Sequence, residues 1–207
     1  MNEGRLSSIY VYDGLTRLIH WAIALSTFFL IVSGLYAERL EPGSEQSAIW
    51  ILHINCGRIL TVSLVARIIW GLVGSKWARL GEFWHWSTWA RFAKTRRYSF
   101  EDTKFGHDPF ASLSYIIFYF VILIVILTGW VLAGMMHAIG PLANELFDDL
   151  EYQNQILDIH EWGFWIVAGF VVIHIAALVY HETRHGIPIS QAMLSGYQFR
   201  RAKENKK

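Results

Sequence analysis

Two histidines lie inside a single apolar stretch that is long enough to cross a lipid bilayer. His160 and His174 belong to residues 156–181, ILDIHEWGFWIVAGFVVIHIAALVYH, and are fourteen residues apart. On an α-helix this spacing is a rise of about 21 Å and close to four whole turns, so both rings leave the same face at different depths. A polar ring inside a membrane is costly, and neutral imidazole is a common metal ligand. The chemistry that these rings offer is metal ligation, provided that each has a partner on another helix.

Three further apolar stretches complete a set of four predicted membrane spans. Hydrophobic residues make up 54% of the 207 residues, which is typical of an integral membrane protein. We predict an all-α membrane protein with a single domain over residues 1–207 and four transmembrane helices in an up-down bundle. The predicted spans are residues 15–37, 48–73, 110–136 and 156–181.

The segment between the second and third spans mixes aromatic and basic residues. Residues 77–98 interleave Trp and Phe with Arg and Lys, which predicts an amphipathic segment lying in the membrane surface. Nucleic acid is not an expected partner, because the segment is tied between two spans. No cleavable signal peptide is expected either, since the residues before the first span are polar.

Charge distinguishes the two sides of the membrane. Basic residues concentrate between the second and third spans and at the C-terminus, whereas residues 137–158 hold five acidic residues and no Lys or Arg. The positive-inside rule puts both termini in the cytoplasm and the acidic loop on the periplasmic side. In that loop Asp148, Asp149 and Glu151 would steer a basic partner, with a merely solvated loop as the alternative. The single cysteine, Cys56, excludes covalent c-type haem attachment.

With four alternating spans, the depths of the histidines can be compared. His53 and His160 each lie about one turn inside the outer end of a span, and His20 and His174 share an inner level. Two facing imidazoles are what a bis-histidine b-type haem requires, so we predict two haem b groups. The alternative is that each histidine is an interhelical or interfacial polar group, but matching at two depths favours haem. His181, seven residues after His174, is the rival inner ligand.

Other residues of the spans are candidates for contact with the cofactors. Arg58 and Arg67, in the second span, could bind haem propionates. Arg67 could equally extend to the lipid headgroups. Gly57 and Gly163 would leave room for a haem face or permit close helix packing.

Motifs spread along nearly the whole chain carry a resemblance to a known family. They are Tyr12-Asp13 through Arg17-Leu18-Ile19-His20-Trp21, His53 with Gly57, Arg67-Ile68-Ile69-Trp70-Gly71-Leu72-Val73-Gly74, Gly106-His107-Asp108-Pro109, and Ile159-His160-Glu161-Trp162 with His174. In these motifs the chain resembles the bacterial di-haem cytochrome b family that includes the membrane subunit of nickel-iron hydrogenases.

The resemblance implies a ligand set, a quinone site and a function. The axial ligands would be His20, His53, His160 and His174, and quinone would bind close to the inner haem. The segment around His107 is the nearest match to that region, which makes His107 a candidate for positioning or protonating quinone, with a loop residue beside a helix cap as the alternative.

The implied protein is an electron-transfer subunit of an oxidoreductase complex in the bacterial inner membrane. Such a protein is multi-pass, with both termini cytoplasmic. It would transfer electrons through two haems between the quinone pool and a periplasmic partner, either a hydrogenase or a c-type cytochrome. The alternative is a stand-alone haem oxidoreductase that acts on a small molecule such as superoxide with quinone.

Overall fold

Long helices and one small sheet make up the protein. The structure, a computed structural model, describes residues 6–83, 86–95, 109–143 and 149–201. In chain order the elements are β1 (Leu6–Tyr10), α1 (Gly14–Ala37), α2 (Ser44–Val73), a short 3-10 helix (Leu80–Phe83), α3 (Trp86–Thr95), α4 (Pro109–His137), α5 (Leu150–His185), α6 (Gln191–Ser195) and β2 (Tyr197–Arg201). His107 and Asp148 lie outside the described residues.

Four helices, α1, α2, α4 and α5, are long and apolar enough to cross a membrane. A span needs about 20 predominantly apolar residues, and each of these helices exceeds that length. Large apolar side chains point outward, among them Val62, Trp162 and Ile173, which are 69%, 73% and 70% exposed. Exposed apolar surface of this kind is unfavourable in water and suits a lipid environment. The predicted all-α fold with four transmembrane helices is confirmed, and α3 falls within the predicted surface segment.

The fourth membrane helix extends beyond the predicted span at both ends. It begins earlier because the Asp149 carboxylate accepts hydrogen bonds from the backbone N–H groups of Glu151 (2.9 Å) and Tyr152 (3.1 Å), which caps the first turn. It ends later, where Gly186 adopts a left-handed φ of 63° and its N–H bonds back to the last turn at 2.9 Å. Capping chemistry, rather than hydropathy, sets these helix ends.

The chain folds as two compact units, and each long helix contributes to both. The first unit consists of Met1–His20, Arg67–Ser114 and Val172–Lys207, and the second unit consists of Trp21–Ala66 and Tyr115–Val171.

The first unit contains a sheet that pairs the two ends of the chain. Strand β1 runs antiparallel to β2, with Tyr10 opposite Tyr197. Before β2, Gly196 has a φ of 87°, and a Cβ there would lie 2.6 Å from both the Tyr10 ring and the Tyr12 carbonyl oxygen. Only glycine fits such a turn. The Gly196 carbonyl in return accepts hydrogen bonds from the N–H groups of Val11 (2.8 Å) and Tyr12 (3.1 Å).

In the first unit, Asp13 joins the start of α1 to the end of α2. Its carboxylate accepts hydrogen bonds from the N–H (2.8 Å) and hydroxyl (2.9 Å) of Thr16, from the Trp70 indole (3.4 Å) and from the Ser75 hydroxyl. Burial raises the pKa of Asp13, but the hydrogen bonds from Ser75, Thr16 and Trp70 outweigh it and hold the pKa below its ordinary value of 3.8. Asp13 is therefore an ionised cap of α1.

The second unit has an aliphatic core and hydroxyl groups that bond to their own helices. Leu60, Ile122 and Val167 are only 2%, 1% and 5% exposed. The hydroxyls of Ser26 and Ser63 donate to carbonyls four residues back, at 2.5 Å and 2.7 Å. Within a bilayer each polar group must find an internal partner, and these bonds supply one.

Candidate haem-ligand histidines

The second unit brings His53 of α2 and His160 of α5 together. Their ring centroids are 6.4 Å apart, and the ring planes are inclined by 64°. An imidazole nitrogen binds a metal at about 2 Å, so two rings ligating one metal from opposite sides have centroids about 6 Å apart. The separation of His53 and His160 therefore suits two axial ligands of one iron.

The Nδ1 atom of His53 faces a serine on the neighbouring helix. Its Nδ1 lies 3.0 Å from the hydroxyl of Ser33 in α1, and that hydroxyl donates its own proton to the Phe29 carbonyl at 2.6 Å. The serine oxygen is thus available to accept a proton from Nδ1. That tautomer has a lone pair on the other ring nitrogen, Nε2, which can bind a metal.

His160 is held in the same way by a residue of α4. Its Nδ1 lies 2.9 Å from the hydroxyl of Thr128, which donates to the carbonyl of Ile124 at 2.9 Å. With its own proton used in this way, the Thr128 oxygen is available to accept a proton from Nδ1 of His160. Metal-binding histidines characteristically donate their second ring N–H to such a partner. The same arrangement is therefore available to both members of the pair.

A partly open cavity adjoins the two rings. Its walls are almost wholly apolar and come from the second unit, which contributes Thr27, Leu30, Ile31, His53, Ile54, Gly57, Leu60, Thr61, Ile122, Val125, Ile126, Gly129, Trp130, Ala133, His160, Phe164 and Val167. An apolar wall of this kind excludes water from a bound cofactor.

Glycines shape the space around the rings. A Cβ on Gly57 would meet no atom within 4 Å, whereas a Cβ on Gly129 would lie 3.2 Å from Cε1 of His160. Gly57 therefore borders open space beside the histidine pair, and Gly129 lets the His160 ring approach α4. Gly163 has the other predicted role of close helix packing, because its Cβ would lie 2.4 Å from Val125 Cγ2.

One buried hydroxyl group in the cavity wall makes no hydrogen bond to the described residues. Thr27 lines the cavity and is 4% exposed, yet its Oγ1 makes no hydrogen bond within the described part of the chain. An unpaired buried hydroxyl is uncommon and calls for an explanation. Taken with the Nε2 lone pairs, the apolar walls and the open face at Gly57, it indicates that these residues fit a haem.

In the first unit, His20 of α1 and His174 of α5 are both partly buried, and the two rings lie within electrostatic range of each other. This placement is compatible with the predicted pairing of His20 with His174. His181 is the alternative inner ligand. Its ring lies beside that of Tyr180, with ring centroids 6.0 Å apart.

The two predicted arginines occupy different environments. Arg67 is 7% exposed, and its Nη1 donates to the Ala78 carbonyl at 3.0 Å in the first unit, so it is a buried residue. Arg58 is exposed in the second unit, where it bonds Asn55 at 3.0 Å and lies 6.0 Å from the ring centroid of Trp130. Trp130 lines the cavity, so Arg58 is close to a residue of the cavity wall.

The structure reveals site residues that the sequence reasoning missed. Ser33 and Thr128 were not singled out, although both are hydroxyl residues within apolar spans. Trp50 was also missed; its ring packs edge-on against His53 with centroids 5.6 Å apart, and it lies 6.1 Å from the ring of His137. Within the described ranges, no group of three or more His, Cys, Asp or Glu forms a conventional metal site.

These features define a class of protein, a membrane-embedded cytochrome whose histidines are paired between helices. The chain matches the family model of prokaryotic cytochrome b561 over residues 11–196. It belongs to that family. The chain is therefore a multi-pass bacterial membrane protein that binds haem b and transfers electrons across the membrane.

Individual relatives are similar along most of their length. A probable Ni/Fe-hydrogenase B-type cytochrome subunit of Rhodobacter capsulatus is 26% identical, covering 94% of this chain and 82% of its own. The probable Ni/Fe-hydrogenase 1 B-type cytochrome subunit of Escherichia coli (strain K12) is 24% identical, covering 92% and 91%. A similarly named protein of Rhizobium leguminosarum bv. viciae is 26% identical, covering 96% and 92%.

Proposed function

We propose that this protein transfers electrons through two haem b groups between a periplasmic redox partner and the quinone pool. One haem would be held by His53 and His160, and the other by His20 and His174. The observation that carries the proposal is the geometry of the His53 and His160 pair, whose rings are 6.4 Å apart with both Nδ1 atoms facing a hydroxyl acceptor. Bound haem b supplies a one-electron carrier.

At the second-unit site, the residues of the protein would orient the histidine ligands and exclude water from the haem. Ser33 and Thr128 keep the two histidines in the tautomer that ligates a metal and hold the ring planes. The aliphatic walls keep water out, which limits reorganisation around a group that changes charge. Arg58 and Arg67 are proposed partners of the propionates, since guanidinium groups bind carboxylates in a bidentate fashion.

The proposed protein partner is a hydrogenase, with a c-type cytochrome as the other possibility. The relatives named above are hydrogenase cytochrome subunits by their descriptions. The partner would dock at the acidic loop, where Glu151 and Asp149 are exposed. Asp149 also caps α5, so its carboxylate has a structural role besides its charge. Complementary charge at such a surface accelerates association more than it adds affinity.

Quinone is the proposed partner on the cytoplasmic side, close to the haem held by His20 and His174. His107 is the candidate residue for positioning or protonating it, because histidine changes charge near neutral pH. Both termini would face the cytoplasm, as the distribution of Lys and Arg indicates.

The experiment that tests this function is a haem-reduction assay in proteoliposomes. Hydrogen with the co-purified hydrogenase, a reduced c-type cytochrome, and quinol are added in turn while the haem absorbance is followed. We expect reduction by one protein partner followed by reoxidation on adding quinone, and no such cycle in His160→Ala. Turnover of superoxide with quinone by the isolated protein, without reduction by either partner, would instead support a stand-alone oxidoreductase.

A further inference from the structure

One nitrogen of a cationic side chain in the first unit is buried without an acceptor. Arg17 lies in the first turn of α1, and its Nη1 donates to the backbone carbonyl of Leu194 in α6 at 2.5 Å. Its Nε is buried and makes no hydrogen bond to any residue that the structure describes. An unpaired buried donor on a charged group is strongly unfavourable, so Nε requires an acceptor from outside the described polypeptide.

Asp13 carries the carboxylate nearest to Arg17 in sequence, and this carboxylate already has other hydrogen-bond donors. Asp13 accepts hydrogen bonds from Thr16, Trp70 and Ser75, which hold it at the junction of α1 and α2. Its carboxylate is therefore committed to that junction rather than to the Nε of Arg17.

The position of Arg17 indicates what the missing acceptor is. Arg17 precedes His20 by three residues, and residues so spaced are neighbours on one side of a helix. His20 in turn interacts with His174 in the same unit. Haem b carries two propionate carboxylates, and the edge of a guanidinium group matches a carboxylate as a planar fork.

We infer that Arg17 binds a propionate of the haem held by His20 and His174, with the Leu194 carbonyl holding the guanidinium group in place. This inference rests on the proposed function, because it requires a haem at that pair. Leu194 lies in α6, two residues before the Gly196 turn into β2. The β1–β2 pairing would then have a role at this site. It fixes α6, whose Leu194 carbonyl orients Arg17.

Redox titration of the purified protein tests the inference without relying on turnover. In Arg17→Gln we expect both haems to remain and one midpoint potential to fall, because a nearby cation favours the reduced haem. A tenfold change in the reduction equilibrium corresponds to about 59 mV for a one-electron couple. The affected haem is the one that His174→Ala lacks. Arg17→Lys, which keeps the charge, should restore most of the potential.

Arg79→Gln is the matched control, since Arg79 belongs to the same unit and its Nε donates to the Gly74 carbonyl at 3.2 Å. It should leave both potentials unchanged. Unchanged potentials in Arg17→Gln with both haems bound would overturn the inference, and weaker retention of anionic lipid in that variant would then assign Nε to a lipid phosphate.

If Arg17→Gln loses the haem, Arg17→Lys decides the matter. Retention of the haem in the lysine variant supports a role for the charge, whereas its loss from both variants contradicts that role. Two haems in His20→Ala would reject the ligand assignment itself, which is a different failure from that of Arg17.

Discussion

The two histidine pairs are supported by different chemistry. In the second unit, His53 and His160 each face a hydroxyl group, of Ser33 or Thr128, that is also bonded to its own helix backbone. These supports are neutral, and they adjoin a cavity with almost wholly apolar walls. Neutral hydroxyl groups can orient a ligand where a charged group would be too costly to bury.

The proposed pair of the first unit, His20 and His174, lies in a part of the fold that also holds charged residues. Asp13 is ionised at the start of α1, Arg67 is buried in α2, and Arg17 is tied to the C-terminal segment. Among the partners of these charges are Ser75 and Ala78 in the loop after α2 and Leu194 in α6, all of which belong to the first unit. The difference teaches that the histidines of the second unit are held by hydroxyl groups of the membrane helices, whereas the unit that contains His20 and His174 is also held together by loop and strand segments at the helix ends.

The largest effect is expected from removing the Thr128 hydroxyl, which faces the His160 ring in the second unit. Thr128→Val deletes the acceptor for the His160 Nδ1 proton, so we expect haem affinity at that site to fall by about 10–100-fold. The measurement is haem loss to an excess of an apo haem-binding protein, followed by absorbance. Ser26→Ala is the control, because Ser26 donates to a helix carbonyl at 2.5 Å and is likewise buried, but lies on no histidine hydrogen bond described here. Equal rates of haem loss in Thr128→Val and Ser26→Ala would contradict a role for the Thr128 hydroxyl in holding His160.

Gly196→Ala tests the dependence of the first unit on its sheet. The left-handed φ of 87° and the contacts at 2.6 Å with Tyr10 and Tyr12 predict a loss of about 1–3 kcal/mol in the free energy of unfolding. Thermal unfolding in detergent measures the change. Gly169→Ala, where a Cβ meets no atom within 4 Å, should instead gain about 0.5–1 kcal/mol. A Gly196→Ala protein as stable as Gly169→Ala would show that the sheet does not support the unit.

Asp13→Asn tests the charge in the first unit through its pH dependence. Because the folded-state pKa of Asp13 is lowered, its carboxylate adds stability above the ordinary value of 3.8, and that stability is lost as the pH falls through the folded-state pKa. We expect the variant to be about 1 kcal/mol less stable at neutral pH, since asparagine still caps the helix but makes weaker hydrogen bonds. The difference from wild type should shrink in acid. Stability curves that stay parallel at every pH would contradict the ionised cap.

The smallest effect is expected at the acidic loop. Replacing Asp148, Asp149 and Glu151 by their amides should slow reduction by the protein partner by less than about tenfold at low ionic strength, and should flatten its salt dependence. Asparagine at position 149 keeps the cap on α5, so the fold is preserved. Stopped-flow reduction at several salt concentrations is the measurement. An unchanged rate of reduction would contradict docking of the partner at the acidic loop.

Much of the fold follows from the sequence, and the reason is the solvent. Lipid requires long apolar helices, so hydropathy alone is enough to locate the four spans. Comparing the depths of the histidines in those spans predicts that His53 meets His160. The β1–β2 sheet was not predicted, because its strands stand at opposite ends of the chain and neither carries a strong periodic pattern. Pairing over that separation depends on tertiary structure rather than on local propensity.

The supports of the histidines were also beyond sequence reasoning. Ser33 and Thr128 resemble Ser26 and Ser63, which only bond to their own helices. A hydroxyl residue in a membrane helix usually does the same, so nothing local marks the two that also face a histidine. Asp13 was recognised only as part of a family motif, and its bonds to Trp70 and Ser75 appear once α1 and α2 are folded.

Haem content in single and double histidine variants tests the central claim most directly. The pyridine haemochrome of wild type should report two haems, and each single variant, His20→Ala, His53→Ala, His160→Ala or His174→Ala, should report one. The double variant of His53 with His160 should also retain one haem, because both residues serve the same site, whereas the double variant of His53 with His174 should retain none. Two haems in any single variant, or one haem in the double variant of His53 with His174, would contradict the pairing.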